Sequence, residues 1–422
     1  MKRIILCLDG TWNHNRAKSS FTNVLKLAQS ILASDSNGIQ QVCHYVEGIA
    51  SADGEWLQFL KGGVGYGVSD RIRKAYAILV EAYEPGDEIF LVGFSRGAFE
   101  ARSLGALITL FGIAKPGSAF AMANAWSVYR NGKSKRDPAA LAEIRAGAHY
   151  PVPIKCVAVW DTVGNLGNPF VAGGLIARSF RFHDMRLSPN IEVALHALSI
   201  DELRGPFRPL LWTLPKGQAP AAHQHVEQVW FAGTHADVGG GHRETALSDT
   251  ALLWMAERLQ AKTGLALDMH KLGHMTRPDA LGAQHSVAEG RIFSWSGLFP
   301  FIRLIKQAVD GIPPLRRALV GAWRSNKLSP EVETVNESIH ESVAQRFGER
   351  VIELRYGRSR PIHYRPGNLV PVMEQPRLSA MKATTGEPRR VKIFTVHGTF
   401  AHETDWDNWE RSDDEKKQQR SS

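Results

Sequence analysis

Six short apolar runs rich in β-branched residues recur at 4–8, 41–46, 88–94, 155–159, 226–231 and 391–396, each bounded by turn residues. Each has the length of a strand and is too short for a buried helix. Between several of them the apolar residues take a helical spacing. These are Ile72, Ala75, Leu79 and Ala82 within 69–83, then Ala98, Ala101, Leu104, Leu107 and Ile108 within 97–110. Leu252, Leu253, Met255, Ala256 and Leu259 repeat the pattern within 245–262. Strands alternating with helices of this length are joined by crossovers, which make a mostly parallel sheet with helices on both faces. The expected fold class is α/β.

The run at 88–94 passes directly into the Ala-rich helical stretch, and the junction Gly93, Phe94, Ser95, Arg96, Gly97 matches G-x-S-x-G. A serine on so tight a strand-to-helix turn needs minimal side chains two residues before and two after it. Ser95 is therefore the candidate nucleophile, its Oγ standing clear at the carboxyl end of the sheet. The backbone N–H of Arg96, at the helix start, can stabilise an oxyanion there.

A serine nucleophile needs a histidine base and an acid to orient it, and in α/β-hydrolases the chain order is Ser, acid, His. The strand at 155–159 runs into Trp160, Asp161, Thr162, Val163 and Gly164, which makes Asp161 the candidate acid. The strand at 226–231 leads to Gly233, Thr234, His235, Ala236, Asp237 and a glycine run ending at His242. His235 is the candidate base and His242 the reserve. Asp237 is either an alternative acid or a support that holds the loop through backbone N–H groups. The first strand ends in Cys7, Leu8, Asp9, Gly10, Thr11, Trp12 and Asn13. Gly10 or Thr11 can supply a second oxyanion N–H, with Asp9 ordering the loop through backbone or Trp12 hydrogen bonds. An aspartyl phosphatase would need an acid where Cys7 stands. The glycines at 62–67 fit neither dinucleotide nor P-loop spacing and read as a loop near the site mouth.

Composition narrows the partners. With 43% hydrophobic and 22% charged residues the chain is globular, and the net charge of +9 favours anionic partners. The cations are scattered and no nucleic-acid motif is present, so no nucleic-acid partner is expected. Cys7, Cys43 and Cys156 lie in apolar runs and read as reduced thiols of a chain folded in the cytoplasm. No apolar run is long enough to span a membrane, and the first apolar run is too short for a signal peptide. No cofactor motif or metal-ligand spacing stands out.

The set LDGTWN, GFSRGAFEAR, VWDTVG and FAGTHADVGGG, in that order, resembles the catalytic domain of Tle1-like phospholipase effectors of type VI secretion, also labelled DUF2235. The resemblance covers about residues 1–265. It implies an α/β-hydrolase-like fold and a serine esterase acting on phospholipids, of phospholipase A type. It supports functional weight for Ser95, Asp161, His235 and Asp237 without choosing between the two acids. It also implies export by a type VI system, with a secretion-apparatus or immunity partner. The contrasting reading is a non-catalytic scaffold on the same fold, or a basic binding protein.

Beyond that region the chain divides, as an expectation, into a helical or loop cap over 266–390, an additional strand within 391–410 and a disordered tail over 411–422. Residues 331–347 read as a helix. The segment 390–400, with Val396, His397, Gly398 and Thr399, resembles the first strand and oxyanion loop of another α/β-hydrolase, and either joins the existing sheet or is a remnant of a second domain. Residues 298–324 interleave Phe299, Phe301, Ile302, Ile305 and Trp323 with Arg303, Lys306, Arg316 and Arg317, the pattern of either a core-facing cap helix or a peripheral membrane contact.

Overall fold

The structure is a computed structural model that describes residues 1–10, 21–48, 66–117, 138–163, 186–204, 207–287, 303–305, 328–355, 357–373 and 393–394. Its centre is one sheet of eight strands, every neighbouring pair parallel. In chain order the strands are β1 (Arg3–Leu8), β2 (Gln41–Val46), β3 (Glu88–Phe94), β4 (Ile154–Trp160), β5 (Ile191–Ser199), β6 (His225–Phe231), β7 (Glu337–His340) and β8 (Ile393–Phe394). Across the sheet they run β8-β7-β6-β5-β4-β3-β1-β2.

Strands β1, β3 and β4 carry almost no polar residues because both of their faces are covered. Side chains alternate between two cores. Ile4, Leu6, Ile89, Leu91, Val157 and Val159 enter one, and Ile5, Cys7, Phe90, Val92, Cys156 and Ala158 enter the other. The first core is roofed by α2 (Tyr66–Ala82) and α3 (Arg96–Phe111), and the second by α1 (Asn23–Ala28) and α5 (Ala246–Thr263), with the single turn α4 (His235–Gly239) between. Burying each large aliphatic side chain contributes about 1.5–3 kcal/mol, so this period-two pattern pins the register.

The register also sets the site. Leu8 pairs with Gly93, Gly93 with Val159, and Val159 with His196. The carboxyl ends of β1, β3 and β4 therefore finish level, with β5 running two residues further, and whatever follows each strand meets its neighbours there.

The sheet extends past residue 265, into the stretch expected to be a cap. Residues 331–347 are not one helix: Val332–Thr334 and β7 are strands, and only Glu341–Arg346 is helical. The turn between the two strands carries Asn336 at φ 45°, which no helix tolerates. Glu337 and Ser338 look solvent-facing in the sequence but are buried, Glu337 accepting a 2.7 Å hydrogen bond from the Trp230 indole. A small separate sheet joins Gln284–His285, Arg350–Arg355 and Arg358–His363. Of the expected strand at 391–396 the described part is β8, which pairs Ile393 with Ile339 and Phe394 with His340. The 411–422 tail lies outside the described residues.

Candidate active site

Ser95 follows β3 with φ 58° and ψ −119°, a conformation that L-residues adopt at a cost of about 1–3 kcal/mol. The glycines around it are there for space. A Cβ on Gly97 would stand 2.0 Å from the Leu8 carbonyl oxygen, and one on Gly93 would stand 2.4 Å from the Gly97 carbonyl oxygen. The start of α3 is thus pressed against the ends of β1 and β3. Ser95 occupies the N-cap position without using its side chain to cap the helix. Arg96 opens the helix, where the dipole is positive.

Asp161 sits one strand over. Its N–H donates to Ala197 at 2.7 Å, the Ser95 N–H donates to Trp160 at 3.1 Å, and Asp161 also has a positive φ, 36°. His235 opens α4 after β6. Its Nδ1 lies 2.6 Å from Asp161 Oδ2, and both residues are buried. A carboxylate accepts, so Nδ1 carries the proton and Nε2 is left with its lone pair. That Nε2 finds no hydrogen-bond partner among the described residues. The imidazole lies against two rings, Phe94 at 4.7 Å between centroids and Phe207 at 4.8 Å. Phe94 is the residue immediately before Ser95, so the imidazole packs on the serine's chain neighbour, with no hydrogen bond from Nε2 to the serine itself. Glu202, also buried, accepts from the His235 N–H at 3.4 Å and is clasped by Arg204.

Burial favours the neutral forms here, and charge decides where it loses. Burial pushes His235 below the ordinary imidazole range, although Asp161 pulls the other way. Burial would raise Asp161, but Arg303 and His235 together hold it well below the usual carboxylate range.

Asp237 does something else. Its Oδ2 accepts from the Thr234 N–H at 2.9 Å, the Thr234 hydroxyl at 2.9 Å and the His285 N–H at 3.0 Å, and its Oδ1 meets His285 Nδ1 at 2.6 Å. It ties the loop carrying His235 to the small sheet and does not reach that histidine as Asp161 does. His242, the reserve base, stacks on His285 with 3.5 Å between centroids. Asp237, His242 and His285 are the described side chains whose donor atoms come close enough together, within 4.8 Å, to hold a metal ion. Both Asp237 oxygens are occupied by hydrogen bonds, and the two rings lie face to face with 11° between their planes.

At the end of β1 the Asp9 carboxylate accepts from the Gly10 N–H at 2.7 Å, from Thr22 at 2.6 Å and from Tyr45 at 2.5 Å. Gly10 borders Ser95, since a Cβ on it would lie 3.3 Å from the serine Cβ. Its N–H, however, is given to Asp9, which corrects its assignment as an oxyanion donor. Thr11 and Trp12 lie outside the described residues, as do most of the glycines at 62–67.

The sequence leaves Arg303 on either a core-facing or a membrane-facing segment. It is fully buried and forks onto Asp161. Leu304 and Ile305 are buried with it, and the rest of 298–324 lies outside the described residues. Sequence reasoning also missed Ser199, Glu202 and Phe207, all at or beyond the end of β5. That strand itself was overlooked because Glu192 and His196 interrupt its apolar pattern.

A parallel sheet with a serine at a left-handed strand-to-helix turn, and an aspartate–histidine pair at neighbouring strand ends, defines an α/β-hydrolase-like protein. The chain belongs to the family described as T6SS phospholipase effector Tle1-like, catalytic domain, whose model matches residues 2–258. An uncharacterised protein of Saccharomyces cerevisiae, YEL023C, is 31% identical over 234 residues, which are 50% of this chain and 33% of that protein. The chain thus spans about a third of the length of this curated relative. Two solved structures are similar at lower identity. The Tle1 effector bound to the VgrG spike of the type 6 secretion system is 17% identical, with TM-score 0.36, over 57% of this chain and 51% of the other. An uncharacterised Pseudomonas aeruginosa protein is 18% identical, with TM-score 0.43, over 66% and 49%. No described helix is long and apolar enough to cross a membrane.

Proposed function

We propose that this chain is a serine hydrolase that cleaves a carboxylic ester of phospholipids, with Ser95 as nucleophile, His235 as base and Asp161 as orienting acid. The observation that carries the reading is the 2.6 Å contact between Asp161 and His235, whose ring packs on Phe94, the residue before a serine held at φ 58°. In this reading His235 Nε2 takes the Ser95 hydroxyl proton as Oγ adds to the acyl carbonyl carbon. The oxyanion turns toward the Arg96 N–H at the head of α3. Collapse expels the lysophospholipid alkoxide, which takes the proton back from His235 and leaves an acyl-serine. Water, deprotonated by the same nitrogen, releases the fatty acid and frees the serine.

The phospholipid part rests on the family, whose description names phospholipase effectors, and on the basic charge, which suits an anionic lipid surface. A component of the type VI apparatus is, from the family description, the proposed secretory partner, and co-purification with a spike protein tests it.

The deciding experiment combines a fluorophosphonate probe with a panel of defined phospholipids. The wild-type protein should label and release fatty acid, and Ser95→Ala should do neither. Labelling that survives in Ser95→Ala rejects the nucleophile. A labelled enzyme that turns over short soluble esters and no phospholipid rejects the substrate class.

A further inference from the structure

Arg303 lies 45 positions beyond the end of the family match, yet its side chain is fully enclosed at the proposed triad. Its Nη1 donates to Asp161 Oδ1 at 2.5 Å and its Nη2 donates to Asp161 Oδ2 at 3.0 Å. Nη1 also donates to the Ser199 carbonyl at 2.8 Å and hydroxyl at 2.7 Å, and Nη2 to the Phe207 carbonyl at 2.6 Å. These bonds fix the guanidinium plane, and the bidentate fork fixes the carboxylate plane. Oδ2, the oxygen that faces His235, is thus shared between the base and a permanent cation.

Consider the carboxylate without it. A fully buried anion beside a neutral imidazole is an unpaired charge, and it gains most by drawing a proton onto the imidazole. An imidazolium has no lone pair with which to take the Ser95 proton. A guanidinium stays charged across the working pH range, so it can pair the carboxylate while the imidazole stays neutral. We infer that Arg303 is a positioning residue of the proposed triad, the counter-ion that keeps Asp161 charged and oriented while leaving His235 unprotonated and ready to act as a base. This inference rests on the Ser95–His235–Asp161 reading.

Other charges face the pair and remain in every variant below. Glu202 sits at the His235 backbone and is clasped by Arg204. His196 on β5 accepts from the Thr162 N–H at 3.1 Å, and Arg102 on α3 influences it in turn. The Asp161 carboxylate itself is contacted by His235, Arg303 and Ser199.

The test is the pH profile of kcat/KM on a soluble ester for the full-length wild type, Arg303→Met and Arg303→Lys, with melting temperatures alongside. The acid limb reports the base in the free enzyme. The wild-type limb should lie below the ordinary imidazole value of about 6.5. In Arg303→Met it should rise by about 1–3 units, as expected for losing an adjacent charge. In Arg303→Lys it should stay near wild type while kcat drops, because the charge is kept and the fork is lost. A methionine variant that loses activity equally at every pH, with its limb unmoved, shows a merely structural arginine and overturns the inference. A wild-type limb above about 7 overturns it with no variant at all. If Arg303→Met does not fold, a limb in Arg303→Lys raised by a full unit has the same consequence. Turnover that survives Ser95→Ala rejects the hydrolase reading instead. A dead Ser95→Ala with an unmoved methionine limb rejects only the role given to Arg303.

Discussion

Nδ1 of His235 and Oδ2 of Asp161 stand 2.6 Å apart, although 74 positions separate the residues in the chain. The contact exists because β4 and β6 flank β5 in one parallel sheet and end at the same edge. A second aspartate, Asp237, lies two residues from the histidine and bonds elsewhere.

That difference predicts opposite phenotypes. Asp161→Asn should lower kcat by about four orders of magnitude, since an amide no longer holds the imidazole in the tautomer with Nε2 free. Asp237→Asn should lose about 1–3 kcal/mol of stability, because buried donors on Thr234 and His285 lose their acceptor, with kcat much less affected. Steady-state kinetics and chemical denaturation on both variants check this. The reverse pattern would assign the acid to Asp237.

Two glycines should respond according to what an added methyl meets. In Gly97→Ala the new Cβ falls 2.0 Å from the Leu8 carbonyl oxygen, so backbone must move and the variant should lose more than about 3 kcal/mol or fail to fold. In Gly10→Ala it meets Phe94 and Ser95 side-chain atoms at 3.2 and 3.3 Å. That variant should fold with a modest loss and react slowly with a serine probe. Equal melting temperatures for the two would contradict the packing described.

Acid should reveal a buried histidine. Burial, and then Arg258, push His340 down to about 3, so it stays neutral in the fold while its unfolded counterpart takes a proton near pH 6.5. Its contribution is therefore complete above about pH 6.5 and shrinks as pH falls toward the folded value, by about 1.4 kcal/mol for each unit. Glu100 and Asp201, raised to about 7 and about 6, work in the opposite direction but are common to wild type and variant. His340→Asn should be costly at pH 7 and should approach wild-type stability near pH 4. A cost independent of pH would show that His340 titrates alike in the folded and the unfolded chain, and would reject its burial as a neutral group.

Membrane contact is proposed for the part of 298–324 outside the buried residues Arg303–Ile305. Replacing Phe299 and Phe301 with Ser should slow turnover on anionic vesicles and spare a soluble ester, because apolar insertion anchors a basic segment to lipid. Equal loss on both substrates, with an earlier melt, would place the two rings in the core.

The elements legible in the sequence were those whose signal is local. β1, β3, β4 and β6 announce themselves as apolar runs because both faces of each are covered, and β2, at the sheet edge, by its β-branched and aromatic residues. Ser95 is legible because a tight strand-to-helix turn leaves no room for a Cβ at Gly93 or Gly97. β5 and β7 were missed because Glu192, His196, Glu337 and Ser338 break the apolar pattern, and two of them, His196 and Glu337, find buried hydrogen-bond partners that no local window contains.

The sequence by itself determined the α/β class, the turn that presents Ser95, and a short set of acids and histidines at strand ends. Local sterics and hydrophobic periodicity act within a few residues, so they can be read from a few residues. Only the tertiary structure decided which acid meets His235, that the Gly10 N–H is turned to Asp9, and that Arg303 leaves the surface for the core. Each of those depends on contacts between segments far apart in the chain. A guanidinium carries the same formula in a solvated loop as against a buried carboxylate, and only the fold supplies the partner that makes its burial tolerable.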